Sequence, residues 1–369
     1  MRKIAIIGAS TGQIKICEEA NNMGLYTIGF AWKQGAVCKD LFSKFYPISI
    51  LEKDKILEIC KKENVDGVVS NGSDVTAKVC AYIAYNLNLN GNNYLDFEKS
   101  QNKYYVRALT NKIKGLVPVK CSLIKNTKDI FYPSIIKPCV GASKKGVCFI
   151  SKEEDIETAI NYAKNENNEI MIEEFISGRE ISVETLSFKG KHVVVQLTDK
   201  DVSGAPHFVE LGHHEPALVN SELKDKICEV TKNILHKIKY KNGAAHIEMK
   251  IDDNNNLYLV EINLRGGGDE ISNRLIQLST GFNYTKAMIE IALGMFKFPK
   301  AVRNKKYAGI YYLCAQTKKY LKCFMKPDRS VIECDFQEKN LTESKTNYDR
   351  NGYLIYCGER KLILEEINE

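Results

Sequence analysis

The sequence predicts an α/β protein fused to an α+β one. It has an N-terminal open parallel α/β sheet, a larger mixed unit with antiparallel strands, and a small β-rich C-terminal part. Three observations carry this expectation. The first ninety residues alternate short apolar strands with helices, which implies a parallel sheet. Two alternating runs flank a polar Asp/Asn turn near residue 255, a strong hairpin signal. Short strands return after residue 305. At 369 residues the chain exceeds one typical domain, and two or three are expected.

Residues 3–7 read as a buried strand, followed by the glycine-containing turn Gly8 to Gly12 and a helix through Met23. Residues 26–31 read as a second strand, 56–63 as a helix and 66–70 as a short apolar strand. The glycines are spaced Gly-x-x-x-Gly, so the dinucleotide fingerprint Gly-x-Gly-x-x-Gly is absent and a nicotinamide oxidoreductase is disfavoured. A polar stretch at 87–93 marks the first domain boundary.

Residues 96–109 then read as one helix with charge on one face. Strands are expected at 122–124 and 134–136. The second runs into Lys137-Pro and a small-residue loop holding Gly141, Ser143, Lys144 and Gly146, before another strand. Such a loop can present backbone N–H groups and ammonium charge to phosphates, although glycine hairpins with surface lysines are common. It is not a Walker A loop, which needs Gly-Lys-Ser/Thr opening a helix. After a helix at 153–165, residues 170–180 give strand, turn and strand. Residues 181–188 and 192–197 form a hairpin. Residues 202–218 look loop-like and carry His207, His213 and His214. Loop histidines are more often polar surface or substrate contacts than a zinc trio. A helix follows from Ser221, with Leu223, Ile227, Val230, Ile234 and Ile238 as its buried stripe. The chain ends in a charged stretch, 359–369, that reads as a helix.

The hairpin carries the chemistry. If Asn254 and Asn255 form a two-residue loop, Glu248 lies opposite Glu261 and His246 opposite Asn263. Like charges directly opposite repel. Two carboxylates there make sense with a cation between them, and oxygen ligands suit Mg²⁺. Glu261, Asn263 and Arg265 share a face because side chains alternate along a strand. The plain alternative is a solvated strand face.

The formal charge of +7 is modest, and the lysines form no long basic run, which argues against nucleic acid as a partner. Twelve cysteines include no Cys-x-x-Cys pair. Several sit in apolar runs, which favours reduced thiols and a cytoplasmic protein. No apolar run reaches membrane-spanning length, so no membrane association is expected.

Taken in order, the motifs are Lys103 on a helix, Lys137-Pro before the Gly/Ser/Lys loop, Glu173-Glu174-Phe-Ile176-Ser-Gly-Arg-Glu180, His246-Ile-Glu248, and Glu261-Ile-Asn263-Leu-Arg265 before three glycines. This set resembles the ATP-grasp superfamily of carboxylate–amine ligases, in the branch of biotin carboxylase and carbamoyl-phosphate synthetase, and looks closest to the L-amino-acid ligases. The resemblance covers residues 96–300. It implies an ATP-grasp domain there with a lid subdomain near 118–182, a preATP-grasp domain at 1–95, and a closing subdomain at 301–369.

The resemblance also implies roles. Lys103 and Lys137 would hold ATP phosphates, and the loop with Gly141, Ser143 and Lys144 would cover them. Glu173 and Glu180 would contact the adenine and ribose side, and the backbone of Glu174 to Ile176 would read the adenine edge. Glu248, Glu261 and Asn263 would bind two Mg²⁺ ions, with Mn²⁺ as a substitute. Arg265 would face the reacting carboxylate, unless it simply pairs with Asp269. Asp269 would orient an attacking amine or take its proton. The activity implied is ATP-dependent activation of a carboxylate, expected to be an amino acid, as an acyl phosphate and its joining to an amine. Small molecules are the implied partners, and a homodimer is an expected assembly. The alternatives are a purine-type or carboxylating enzyme, or a non-catalytic ATP-binding protein, on the same fold.

Overall fold

The computed structural model describes residues 1–125, 130–141, 145–338 and 341–364. Their apolar segments resolve into three sheets. The first is parallel, in the order β3-β2-β1-β4, built from β1 (Lys3–Ile7), β2 (Tyr26–Phe30), β3 (Lys44–Tyr46) and β4 (Gly67–Val69). Helix α1 (Thr11–Asn22) connects β1 to β2 and α2 (Lys53–Glu63) connects β3 to β4, while α3 (Asp74–Asn86) follows β4. Ile4, Ile6 and Ile7 are fully buried, as a strand covered on both faces requires. Gly8 turns the chain from β1 into α1 at φ +96, and a Cβ there would lie 2.9 Å from the Gln13 side chain. The polar stretch at 87–93 ties this unit to the next: the Asn92 amide donates to the Asn242 carbonyl and accepts from the Lys241 N–H.

The helix expected at 96–109 is two helices, α4 (Tyr94–Lys99) and α5 (Lys103–Thr110). Asn102 breaks it by capping α5, accepting from the Tyr105 N–H, and this sets Lys103 at a helix start. A small antiparallel sheet follows, ordered β5-β8-β6-β7, from β5 (Cys121–Leu123), β6 (Ser134–Pro138), β7 (Cys148–Ile150) and β8 (Ile170–Glu174). Helix α6 (Ile156–Glu166) packs on it through Ile156, Ala159 and Ala163.

The third sheet has eight strands, β13-β12-β9-β10-β11-β14-β16-β15. Its members are β9 (Arg179–Phe188), β10 (Lys191–Val202), β11 (Glu210–Glu215), β12 (Gly243–Ile251), β13 (Leu257–Asn263), β14 (Tyr307–Leu313), β15 (Val331–Phe336) and β16 (Gly352–Gly358). The region expected as a loop at 202–218 therefore contains an interior strand, β11. Its sequence, Glu-Leu-Gly-His-His-Glu, lacks apolar alternation because its buried positions are polar. Helix α7 (Ser221–Lys237), capped by the Asn220 side chain, covers one face with the expected stripe. After β13 come a π-turn at Ile271–Leu275, α8 (Ile276–Thr280) and α9 (Tyr284–Ala292). Helix α10 (Leu321–Met325) sits between β14 and β15. Strands β14, β16 and β15 extend the same sheet, so residues after 301 continue it. Residues 359–364 are not helical, and 365–369 lie outside the described residues. All twelve cysteines are unpaired thiols. Among the described residues, no helix is long and apolar enough to cross a membrane.

Candidate functional site

The hairpin β12–β13 pairs His246 with Asn263, Ile247 with Ile262 and Glu248 with Glu261, as the sequence predicts. The route to that register differs. The strands end at Ile251 and Leu257, and beyond Glu248 the partners shift by one, Met249 facing Leu259. Val260 is the extra residue, a β-bulge beside the two glutamates. Strand β9 lies on the other side of β12 and continues the rows: Glu184, His246 and Asn263 line up across three strands, as do Ser182, Glu248 and Glu261.

Each glutamate of the pair has its own cation. Glu261 is 3.0 Å from Lys103 Nζ, and Glu248 is 3.2 Å from Lys200 Nζ and from His246 Nε2. Lysines therefore relieve the cross-strand repulsion without a metal. All three contacts use Oε1. Oε2 of both glutamates accepts no hydrogen bond from the described residues. With the Asn263 side chain one row away, that leaves hard oxygen donors of the kind Mg²⁺ takes, so the donor set fits the ion.

Lys200 was not singled out by the sequence. It is buried among Glu180 at 3.0 Å, Glu210 at 2.9 Å and Glu248 at 3.2 Å, on three different strands. Burial opposes its charge, but Glu210, Glu248 and Glu180 more than offset this and hold it well above the usual lysine range. Burial likewise opposes charge on Glu248, and Lys200 and His246 offset it, so its carboxyl stays well below the usual range.

Two cavities meet at this carboxylate pair. One, of about 130 Å³, has an apolar slot formed by Ile135, Val147, Phe175, Phe208 and Leu259. Lys103, Lys137, Glu173 and Glu180 line its polar parts, as do Glu248 and Glu261. Glu173 is sandwiched between Lys137 and Arg107, the latter at 2.8 Å. Burial raises its pKa, but the two cations outweigh it and bring it down to about 2. Arg107 also donates to the carbonyls of Leu259 and Val260 at the bulge. It, too, escaped the sequence reading, because a charged helix face looks solvated. The N–H groups of Glu174 and Phe175 already bond the carbonyls of Lys120 and Pro133, so of the three expected edge-reading residues only Ile176 keeps its N–H outside these contacts. Lys103 Nζ also donates to the Gly141 carbonyl at 2.7 Å. Ser143 and Lys144 lie outside the described residues.

The second cavity, of about 600 Å³, is polar and is lined by Glu248, Glu261, Asn263, Arg265, Asp269 and Glu270 among others. Arg265 pairs with Asp74 of α3 at 3.1 Å and not with Asp269. Asp269 is held by both guanidinium nitrogens of Arg350, at 2.8 and 2.9 Å, and by His213 at 3.3 Å. Burial would raise Asp269, but His213 and Arg350 pull it below the usual range, which makes it a weak base. This runs against the role expected of Asp269 as proton acceptor. The carbonyl of its neighbour Glu270 accepts from the Arg274 and Leu275 N–H groups, but the Glu270 carboxylate makes no hydrogen bond or ion pair with the described residues, and burial raises its pKa. Both sit at positive φ, +49 and +64, a backbone state that ordinary residues adopt at a cost of about 1–3 kcal/mol. Glu210, His213 and Asp269 could hold a metal geometrically, but Lys200 and Arg350 already supply the positive charge there.

Residues 130–273 match the family model of the ATP-grasp domain. A D-alanine–D-alanine ligase of Flavobacterium johnsoniae is 32% identical over 143 residues, which cover 37% of this chain and 43% of that enzyme. The chain thus spans under half of that relative. Among solved structures, the L-amino acid ligase from Bacillus licheniformis superposes with a TM-score of 0.81 at 21% identity, covering 98% of this chain and 94% of that one. The biotin carboxylase domain of Hydrogenobacter thermophilus 2-oxoglutarate carboxylase, a dimer in complex with MgADP and bicarbonate, superposes with a TM-score of 0.75 at 18% identity, covering 97% and 86%.

Proposed function

We propose that the chain, whose residues 130–273 match the ATP-grasp domain and whose fold is similar to that of an L-amino acid ligase, is an ATP-dependent ligase that activates a carboxylate, an amino acid by preference, as an acyl phosphate and joins it to an amine. The observation that carries this reading is the Glu248–Glu261 pair at the junction of the apolar slot and the polar cleft. Nucleotide on one side and acceptor on the other would meet there.

The apolar slot suits an adenine ring, with Glu180 and the Ile176 backbone at its edge. Lys103 and Lys137 would meet the phosphates. Glu261 holds the Lys103 ammonium charged, and Glu173 orients Lys137 while opposing the burial that lowers its pKa. Glu248, Glu261 and Asn263 would hold two Mg²⁺ ions, which neutralise phosphate charge and draw together the groups that react. Arg265 is the natural clamp for the acceptor carboxylate, because a guanidinium offers two parallel hydrogen bonds. Asp74 orients it from the N-terminal unit, so that unit forms one wall of the reacting centre. Glu270, not Asp269, is the carboxylate available to an incoming amine. In this chemistry phosphorylation itself makes the acyl group reactive, so no nucleophilic side chain is required. Twelve unpaired thiols suit a reducing compartment, the cytosol.

The test is release of ADP from Mg-ATP against panels of amino acids, nucleotide precursors and bicarbonate. Stimulation by amino acids that is greater with a second amine present supports the proposal. Stimulation only by phosphorylated precursors or bicarbonate would favour a purine-type or carboxylating reaction. Basal hydrolysis that no carboxylate stimulates would overturn it in favour of a non-catalytic ATP-binding protein.

A further inference from the structure

A third cavity, of about 380 Å³, opens at the C-terminal ends of β1 and β2, where open parallel sheets bind their ligands. It shares Ser10, Gln13 and Ser73 with the 600 Å³ cleft, so the two are contiguous. Its lining is uncharged throughout, in a chain where 27% of residues are charged. Apolar groups dominate it: Ala31, Trp32, Ala36, Ile50 and Leu51. Trp32 is 66% exposed and Leu51 70%, so two large apolar side chains stand at a cavity mouth with water against them.

An anion finds no cationic side chain here. The lining contains no Lys, Arg or His. The start of helix α1 would be the natural anion site of this fold, but Gln13 fills it. Its Oε1 accepts from the Ser10 N–H at 3.0 Å and from the Ser10 hydroxyl at 2.8 Å, while its amide donates to the Asn71 carbonyl at 2.7 Å. Gln13 is itself buried.

We propose that this cavity seats the uncharged, apolar end of the acid that the protein activates, an amino acid with a bulky aliphatic or aromatic side chain. The inference rests on the ligase reading above and deepens it. The carboxylate lies toward Arg265, the chain of the substrate passes Ser10 and Ser73, and the side chain packs on Trp32. Phosphorylated substrates are disfavoured by the same geometry.

Trp32 is the chain's single tryptophan, so its emission, excited at the red edge where tyrosine does not absorb, reports on this cavity alone. The full chain with Mg²⁺ and a non-hydrolysable ATP analogue is titrated with leucine, phenylalanine, alanine, glutamate and ribose 5-phosphate. In parallel, ADP release from Mg-ATP is measured for each compound, with wild type and with Trp32→Ala. The expected result is a saturable emission change with leucine or phenylalanine and none with glutamate or ribose 5-phosphate. Trp32→Ala should lower the preference for phenylalanine over alanine in kcat/KM by about tenfold, the usual scale for lost apolar contact in a pocket. Stimulated ADP release without an emission change, or an unchanged preference in Trp32→Ala, would overturn the cavity assignment and leave the ligase reading standing. An emission change without stimulated ADP release would keep the cavity and sink the ligase reading. Neither signal with any compound would overturn both.

Discussion

The parallel sheet β1–β4 is packed mainly with apolar side chains, whereas the eight-stranded sheet combines an apolar face, with Ile181, Val183, Ile247 and Met249, with a buried polar one. Ile4, Ile6, Ile7, Ile28 and Phe30 fill the first. In the second, Ser182, Glu184, Thr198, Lys200, His213 and Glu215 are as deeply enclosed, each with a relative exposure of 5% or less. Apolar burial stabilises in proportion to area, whatever the partner. Buried charge is tolerated only when every member is paired, and removal of one member exposes the rest. The candidate site lies on the polar face of the eight-stranded sheet.

The largest effect expected is on turnover. Glu261→Gln keeps the shape and the hairpin register but removes the charge that would bind Mg²⁺. ADP release should fall about a thousandfold or more, about 4 kcal/mol of barrier, with the circular dichroism spectrum unchanged. Near-normal activity would remove Glu261 from the metal site.

Next is the lattice itself. Lys200→Met leaves Glu180, Glu210 and Glu248 enclosed without their common cation, and should destabilise the fold by about 3–5 kcal/mol in urea titration. A loss under about 1 kcal/mol would mean that the carboxylates are relieved some other way.

Glu173 tests the same contrast through pH. Its folded pKa, about 2, lies below its ordinary value of 4.5, so its contribution is complete above pH 4.5 and disappears as pH falls toward 2. The stability gap between wild type and Glu173→Gln should be about 2–3 kcal/mol at neutral pH and shrink steadily below pH 4.5. A gap that does not change between pH 7 and pH 3 would show that the side chain acts through packing.

The smallest effect belongs to the apolar sheet. Ile6→Val removes one methylene from a fully buried site and should cost about 1 kcal/mol at every pH, without touching ADP release. A pH-dependent or catalytic effect there would erase the distinction between the two sheets.

The same contrast explains what could be read in advance. Continuous apolar runs reveal β1, β2 and β4, and strict alternation reveals β9 and the start of β10. Strand β11 was invisible because its buried residues are histidine and glutamate, which look like a loop until their partners are known. Lys200 was invisible for a related reason: its three glutamates lie on β9, β11 and β12, and no sequence spacing brings them together. Asn102 reads as one polar residue in a helix, and only its side-chain bond to the Tyr105 N–H shows that it starts a new one. The pairing of Glu248 with Glu261 came out right although the turn is longer than the two residues assumed, because the bulge at Val260 compensates by one position. The partner that lowers Asp269, Arg350, lies 81 residues away, so its effect on that carboxylate is not legible in sequence.

The bulge has a mechanical consequence. Beside it the carbonyls of Leu259 and Val260 accept from Arg107, whose Nη2 also donates to Glu173 on the small sheet. One guanidinium therefore fastens the strand that carries Glu261 to the sheet that carries Lys137. The two sheets that line the apolar slot thus meet at one side chain, Arg107.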